Sequence, residues 1–294
     1  MAKRQWIGAT FGNGWMHRNL IRLLRFVDVR ILYLFSDIFV VPFCVIFNRS
    51  GKTSYSFYRE RLHNGVLRSC WLTYRNHCLF SQVVIDKFAM YAGKSFDVAI
   101  EGTDRFKELE QQDAGFVQLS SHIGNYEIAG YTLRSTRKEI HAIVYSFEKE
   151  SVMNNRNSMF SKTNVSMIAL KEDMSHLFEI DEALCRGDII SFPSDRHMEG
   201  TRCLKAEFLG QEAQFPQGPF SVATMRGVNV LAVNVMKEGL RRYRVLVRSV
   251  GMPSEVQMPA RLRAESMARD FAGLLESVTR RYPTQWFNFY DFWQ

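Results

Sequence analysis

Apolar positions in this 294-residue chain have two textures, and the change falls near Gly93. Before it, apolar residues gather in long stretches at helical spacing. Arg18, Arg22 and Arg25 share one face of a helix, while Leu20, Leu23, Leu24 and Val27 favour the other. That is the pattern of a helix lying at an anionic interface. From Ile31 to Phe47 the run ILYLFSDIFVVPFCVIF is interrupted only by Ser36, Asp37 and Pro42, with Arg30, Arg49 and Lys52 around it. A bilayer span wants about 20 apolar residues, so the run is slightly short, and it carries a charge. It reads as an anchor that spans the membrane or lies on it, with a core helix interrupted at Pro42 as the alternative. The run starts late and no small-residue cleavage pattern follows, so it is not expected to be a removed signal peptide. Between Ser54 and Gly93 a long helical stretch brings Arg61, Arg68 and Arg75 nearly onto one face. Such a stripe is a solvated face, or a contact for a carrier protein or lipid headgroup.

Beyond Gly93 short apolar runs alternate with amphipathic stretches, which predicts an α/β domain with a mixed, largely parallel sheet flanked by helices. The clearest strands are 116–119, 142–145, 165–170, 189–192, 228–235 and 243–247, most of them rich in β-branched or aromatic residues. Met174, Leu177, Phe178 and Leu184 predict one core-facing helix stripe after a cap at Asp173, ending at Arg186-Gly187. Leu262, Met267, Phe271, Leu274 and Val278 predict another. The expected organisation is a membrane-anchoring segment over residues 1–53 and a single domain over 54–294.

The formal charge of +8 favours an anionic partner: a phospholipid surface, an acidic carrier protein, a phosphorylated substrate or nucleic acid. Nucleic acid is not expected, because no Lys-rich tail, zinc-finger spacing or ribonucleoprotein motif is present. The five cysteines are an odd number without a C-x-x-C pair, and the seven histidines show no metal-ligand spacing. Reduced, mostly buried thiols in a cytosolic setting and no metal are therefore expected.

The chemistry concentrates in FVQLSSHIGNYE. His122 leaves the end of a strand, and Glu127 enters the next helix across a Gly124-Asn125 turn. On one continuous helix a five-residue offset would set the side chains about 140° apart. Across a turn the carboxylate can fold back onto the imidazole, fix its tautomer and leave the other nitrogen to accept a proton. That makes a hydroxyl-activating base, with a purely structural histidine as the alternative.

The H-x-x-x-x-E spacing within SHIGNYE resembles the signature of the glycerolipid acyltransferases, particularly the lipid A late acyltransferase branch. Ser194-Asp195 after DIISFP, the block AEFLGQEAQFPQGPFSVATMRGVNVLAV and the closing RYPTQWFNFYDFW resemble further blocks of that branch in the same order. The resemblance covers about Gly115 to the end. It implies His122, Glu127 and Asp195 as catalytic residues, with Asn125, Arg156, Arg196, Arg202 and Gly218 at the substrate. Arg156 sits earlier than the arginine of that branch, and Glu199-Gly200-Thr201-Arg202 spells a phosphate-binding motif several residues later than its usual place.

The implied reaction is direct transfer of an acyl group from an acyl-carrier-protein or coenzyme A thioester to a lipid hydroxyl. It needs no acyl-enzyme and no cofactor. The implied setting is the cytoplasmic face of a bacterial inner membrane, and the implied acceptor is lipid A precursor-like. An amino-acid lipid, a polyene lipid or a lysophospholipid would suit the same geometry, and a non-catalytic membrane adaptor is the reading from another class. The terminal aromatics Trp286, Phe287, Phe289, Tyr290, Phe292 and Trp293 are expected in the core, ahead of an acyl-pocket lining or a membrane contact.

Overall fold

The computed structural model describes residues 14–133, 135–145, 164–171, 173–197, 200–251 and 258–293. The chain begins with helices α1 (Gly14–Phe26), α2 (Val29–Phe35), α3 (Val41–Phe47) and α4 (Arg49–Ser56). A π-helical turn, Ser36–Val40, joins α2 to α3, and Pro42 falls in the first turn of α3, where its missing N–H costs least. Val29–Phe47 is long and apolar enough to cross a membrane by length and composition. Only its inner side is covered. Ile31, Leu34, Phe35, Ile38, Phe39, Phe43, Ile46 and Phe47 are all more than half exposed.

The cover is the 26-residue helix α5 (Val66–Tyr91), and the contacts are polar as well as apolar. Gln82 Nε2 donates to Asp37 Oδ2 at 3.0 Å, Tyr74 donates to the Asp37 carbonyl at 2.8 Å, and the Ser36 and Ser81 hydroxyls meet at 2.5 Å. The deepest contact is a buried charge cluster. Lys237 Nζ lies 2.5 Å from Asp86 Oδ2, the side chains being 2% and 0% exposed. Tyr33 and Tyr243 donate their hydroxyls to the two Asp86 oxygens, and the ammonium also reaches the Leu240 carbonyl at 3.1 Å. Every polar group in the cluster is thereby matched, which is the condition for burying an ion pair.

The domain follows as β1 (Asp97–Glu101), α6 (Thr103–Gln111), β2 (Phe116–Gly124), a 3₁₀ turn at Tyr126–Ile128 and α7 (Ala129–Thr132). Next come β3 (Ile140–Tyr145), β4 (Val165–Leu170), α8 (His176–Cys185), β5 (Ile189–Pro193) and the hairpin β6 (Cys203–Phe208) and β7 (Gln211–Pro216). The last elements are α9 (Gln217–Arg226), β8 (Val230–Lys237), β9 (Arg242–Val250) and α10 (Ala260–Arg281). Seven strands form one sheet in the order β1-β9-β8-β2-β5-β3-β4, parallel at every pairing except β8 with β9. The fold is the mixed, largely parallel sheet flanked by helices that the sequence pattern predicts.

Both faces of the central strands are covered. Along β8, Val230, Ala232 and Met236 join one apolar cluster, while Leu231, Val233 and Val235 join the other. This period of two across two buried faces explains why residues 230–233 are apolar at consecutive positions instead of alternating ones. The α10 stripe is as expected at Met267, Phe271 and Val278, whereas Leu262 is exposed. The α8 stripe differs. Met174 has a positive φ of 61° and precedes the helix, so its phase does not carry over; Ile180, Ala183 and Leu184 are buried while Met174, Leu177 and Phe178 face outward. The thiols also differ from expectation, because only Cys78 is buried and Cys70 and Cys185 are exposed.

Candidate active site

β2 occupies the middle of the sheet, and its carboxyl end carries His122. Open, mostly parallel sheets bind ligands beyond the carboxyl ends of their strands, so the position alone is informative. Parallel pairing with β5 runs from Phe116 opposite Ile189 to Ser120 opposite Pro193. The Ser194 N–H then donates to the Ser120 carbonyl at 2.9 Å, which delivers Asp195 beside His122. Asp195 Oδ1 is 2.7 Å from His122 Nδ1, and Oδ2 accepts the His122 backbone N–H at 2.9 Å. The carboxylate found on the imidazole is thus Asp195, where the sequence pointed to Glu127.

The reason lies in the turn. Gly124 has φ of +58°, and a Cβ there would meet the Val235 carbonyl oxygen at 1.9 Å, so only glycine fits. After it the Asn125 N–H donates to the Val235 carbonyl at 3.0 Å, and the 3₁₀ turn directs Glu127 towards α5. There Lys87 Nζ lies 2.7 Å from Glu127 Oε1, and Tyr91 donates to Oε2 at 2.9 Å. Glu127 fastens the turn to α5, and Tyr126, just before it, sets its ring edge-on to His122 at 5.5 Å.

On the far side of the strand end the carboxy-terminal block completes the frame. Gly124 N–H donates to the Gln285 carbonyl at 2.9 Å, and Phe287 N–H to the His122 carbonyl at 3.1 Å. Trp286 Nε1 donates to Asp195 Oδ2 at 3.3 Å. Trp286, Phe287 and Phe292 are buried, so these aromatics belong to the core as expected.

Electrostatics set the protonation. Burial alone would raise the Asp195 carboxyl, yet the His122 charge and hydrogen bonds, with Arg196, push it down to about 2. His122 sits below the ordinary histidine value, first through burial and then through the Arg196 charge, which together outweigh Asp195. An ionised carboxylate can only accept, so Nδ1 carries the imidazole proton and Nε2 the lone pair. At neutral pH the imidazole is uncharged and the carboxylate ionised.

Of the residues expected at the substrate, Arg196 is brought to the dyad. It is buried, its guanidinium donates to the Phe287 carbonyl, and it lies 5.8 Å from the Tyr290 ring centroid. Asn125 is buried in the turn, 3% exposed. Arg202 is exposed, and its carbonyl accepts from the Gln217 N–H at 2.9 Å; Gly218 is exposed in the first turn of α9. Arg156 and Glu199 lie outside the described residues. Among the described residues one His/carboxylate cluster, Glu139, His141 and Asp188, has donor atoms within 4.8 Å of one another. Both His141 nitrogens are already bonded, to Ser166 at 2.7 Å and Asp188 at 3.2 Å, so the cluster satisfies itself.

Sequence reasoning missed Trp286 as a donor to Asp195 and Lys87 as the partner of Glu127. Trp286 stood in a noticed block with only its ring considered. Lys87 adjoins Asp86 in an otherwise apolar helix turn, and that pair of charges is the available signal.

Fold and site together define an α/β protein with a histidine–aspartate pair at the carboxyl end of its central strand. Residues 82–294 match the family described as bacterial lipid A biosynthesis acyltransferase. The chain belongs to that family, and it is an acyltransferase of lipid biosynthesis. The crystal structure of the 1-acyl-sn-glycerophosphate (LPA) acyltransferase PlsC from Thermotoga maritima is similar at 19% identity, covering 86% of this chain and 99% of that one, with a TM-score of 0.39. No curated protein matches.

Proposed function

We propose that the protein moves a fatty acyl group from the thioester of an acidic acyl carrier protein, or of coenzyme A, to a hydroxyl of a lipid A precursor-like acceptor. The observation that carries this reading is the 2.7 Å His122–Asp195 contact at the end of the central strand, in a chain of an acyltransferase family. His122 Nε2 takes the proton from the acceptor hydroxyl as its oxygen attacks the thioester carbonyl. The C–S bond of the tetrahedral intermediate then breaks, and the imidazolium returns the proton to the departing thiolate. No acyl-enzyme and no cofactor enters. Asp195 holds the tautomer and stabilises the imidazolium, and Glu127 acts one step further out by pinning the turn that follows His122.

The charge of +8 supports an acidic carrier as donor partner. The apolar outer side of Val29–Phe47 supports a seat on the cytoplasmic leaflet of a bacterial inner membrane, with Arg18, Arg22, Arg25, Arg30, Arg49 and Lys52 towards anionic headgroups. Lying in one leaflet suits this segment better than spanning. Its inner side is fastened to α5, and a span would draw Arg75, Asp86 and Lys87 of that helix towards the hydrocarbon.

The test is incubation of the full chain with an acyl–acyl-carrier protein and a total lipid extract, followed by mass spectrometry. The expected result is a new acylated lipid with the wild type and none with His122→Ala. Release of free fatty acid alone, or undiminished transfer by His122→Ala, would overturn the reading.

A further inference from the structure

The base role given to His122 depends on how firmly Asp195 is held, and the carboxylate is gripped from three directions. Oδ1 serves the imidazole at 2.7 Å. Oδ2 accepts both the His122 backbone N–H at 2.9 Å and the Trp286 indole N–H at 3.3 Å. A rotation that withdrew Oδ1 from the imidazole would have to break both bonds on Oδ2.

The indole is itself immobile. Its ring meets Phe57, Phe208, Phe292 and Trp293 edge-on at 5.3, 5.1, 5.0 and 5.8 Å, and it is 2% exposed. Trp286 pairs across an antiparallel bridge with Ile123, the residue after His122. Its register is locked by Gln285, whose side-chain amide accepts the Lys237 N–H at 2.7 Å and donates to the Lys237 carbonyl at 2.8 Å. Asn76 Nδ2 further donates to the Trp286 carbonyl at 3.3 Å. This is far more fixing than a packing aromatic needs.

We propose that Trp286 is a positioning residue of the dyad: its indole N–H holds the Asp195 carboxylate in the orientation that grips His122. The proposal rests on the base role of His122. Tryptophan suits the task because it fills an aromatic core and still donates one hydrogen bond from its ring. As a neutral donor it steadies the carboxylate without adding to the positive charge that Arg196 already sets beside the imidazole. Gln285 serves the same end by fixing the strand register that aims the indole.

Two variants of the full chain test this. Trp286→Phe keeps an aromatic ring and removes the donor. Incorporation of L-β-(3-benzothienyl)alanine at position 286 keeps the bicyclic shape and replaces the N–H by sulfur, so it stays informative where phenylalanine misfolds. The direct readout is the NMR titration of the His122 imidazole C–H in detergent, assigned by its loss in His122→Gln; turnover is read with an acyl–acyl-carrier protein and a lipid extract. A carboxylate released from that orientation supports the imidazolium less well, so His122 is expected to titrate at lower pH in both variants. Turnover falls about tenfold at unchanged KM for the donor.

A titration that is unmoved or moved to higher pH in the benzothienyl variant overturns the proposal. So does lost turnover that only tracks a lowered thermal midpoint while the titration stays as in the wild type. A titration moved to lower pH in a protein whose wild type transfers no acyl group sustains the positioning role and overturns the acyl-transfer reading instead.

Discussion

Asp86→Asn is the most demanding single test of how the amino-terminal helices are joined to the sheet. The replacement keeps the shape and some hydrogen-bonding capacity but leaves the Lys237 ammonium, whose side chain is 2% exposed, without its counter-charge. Breaking one side of a buried ion pair costs about 3–5 kcal/mol. At about 2.1 cal/mol/K of unfolding entropy per residue, each kcal/mol moves the midpoint of a 294-residue chain by about 1.6 °C, so the expected fall in Tm is about 5–8 °C. The assay is thermal unfolding in detergent followed by tryptophan fluorescence. Replacing both charges, Asp86→Leu with Lys237→Met, should recover much of the loss, because burying two charges is itself expensive. A fall below about 1 kcal/mol in Asp86→Asn, or a double variant no more stable than the single, would refute the reasoning that this pair holds α5 to the sheet.

The remaining expectations concern the site. Because burial and Arg196 hold His122 below the ordinary histidine value, turnover should persist as pH falls past about 6.5 and drop only below it. Arg196→Gln should move that acidic limb of kcat/KM to higher pH, as one of the two lowering influences is gone. The two carboxylates should part by pH profile: Asp195→Asn lowers turnover about a thousandfold or more and moves the limb to lower pH, since Asp195 raises the imidazole. Glu127→Gln should reduce turnover and Tm while leaving the limb in place, because its partners are Lys87 and Tyr91. Gly124→Ala should lose at least about 2 kcal/mol in chemical denaturation, given its positive φ and the Val235 carbonyl in the way.

The sheet was legible because its strands are apolar on both faces and bounded by turns, so 116–119, 189–192 and 228–235 stood out without any partner being known. His122 was legible through its place at a strand end. Asp195 entered only through the family resemblance, and its contact with His122 was not legible: it is 73 residues away, and only the pairing of β2 with β5 brings it there. The nearer Glu127 was the natural choice from spacing, and one glycine-dependent turn redirects it. Asp86 and Lys237 are 151 residues apart, each next to a charge of opposite sign, Lys87 and Glu238, and local patterns do not reveal which buried charges meet. The α8 stripe was misread because Met174 was counted into a helix that its positive φ excludes.

The exposed apolar side of Val29–Phe47 also bears on what concentration means for this acyltransferase. On the membrane seat and carrier-bound donor proposed above, the protein would search for its acceptor in two dimensions while the donor would reach it from three. Its two Michaelis constants then carry different units, a surface mole fraction and a bulk molarity. Diluting the acceptor with inert phospholipid would slow the reaction even at constant bulk acceptor, and enlarging the assay volume at fixed lipid composition would starve it of donor alone.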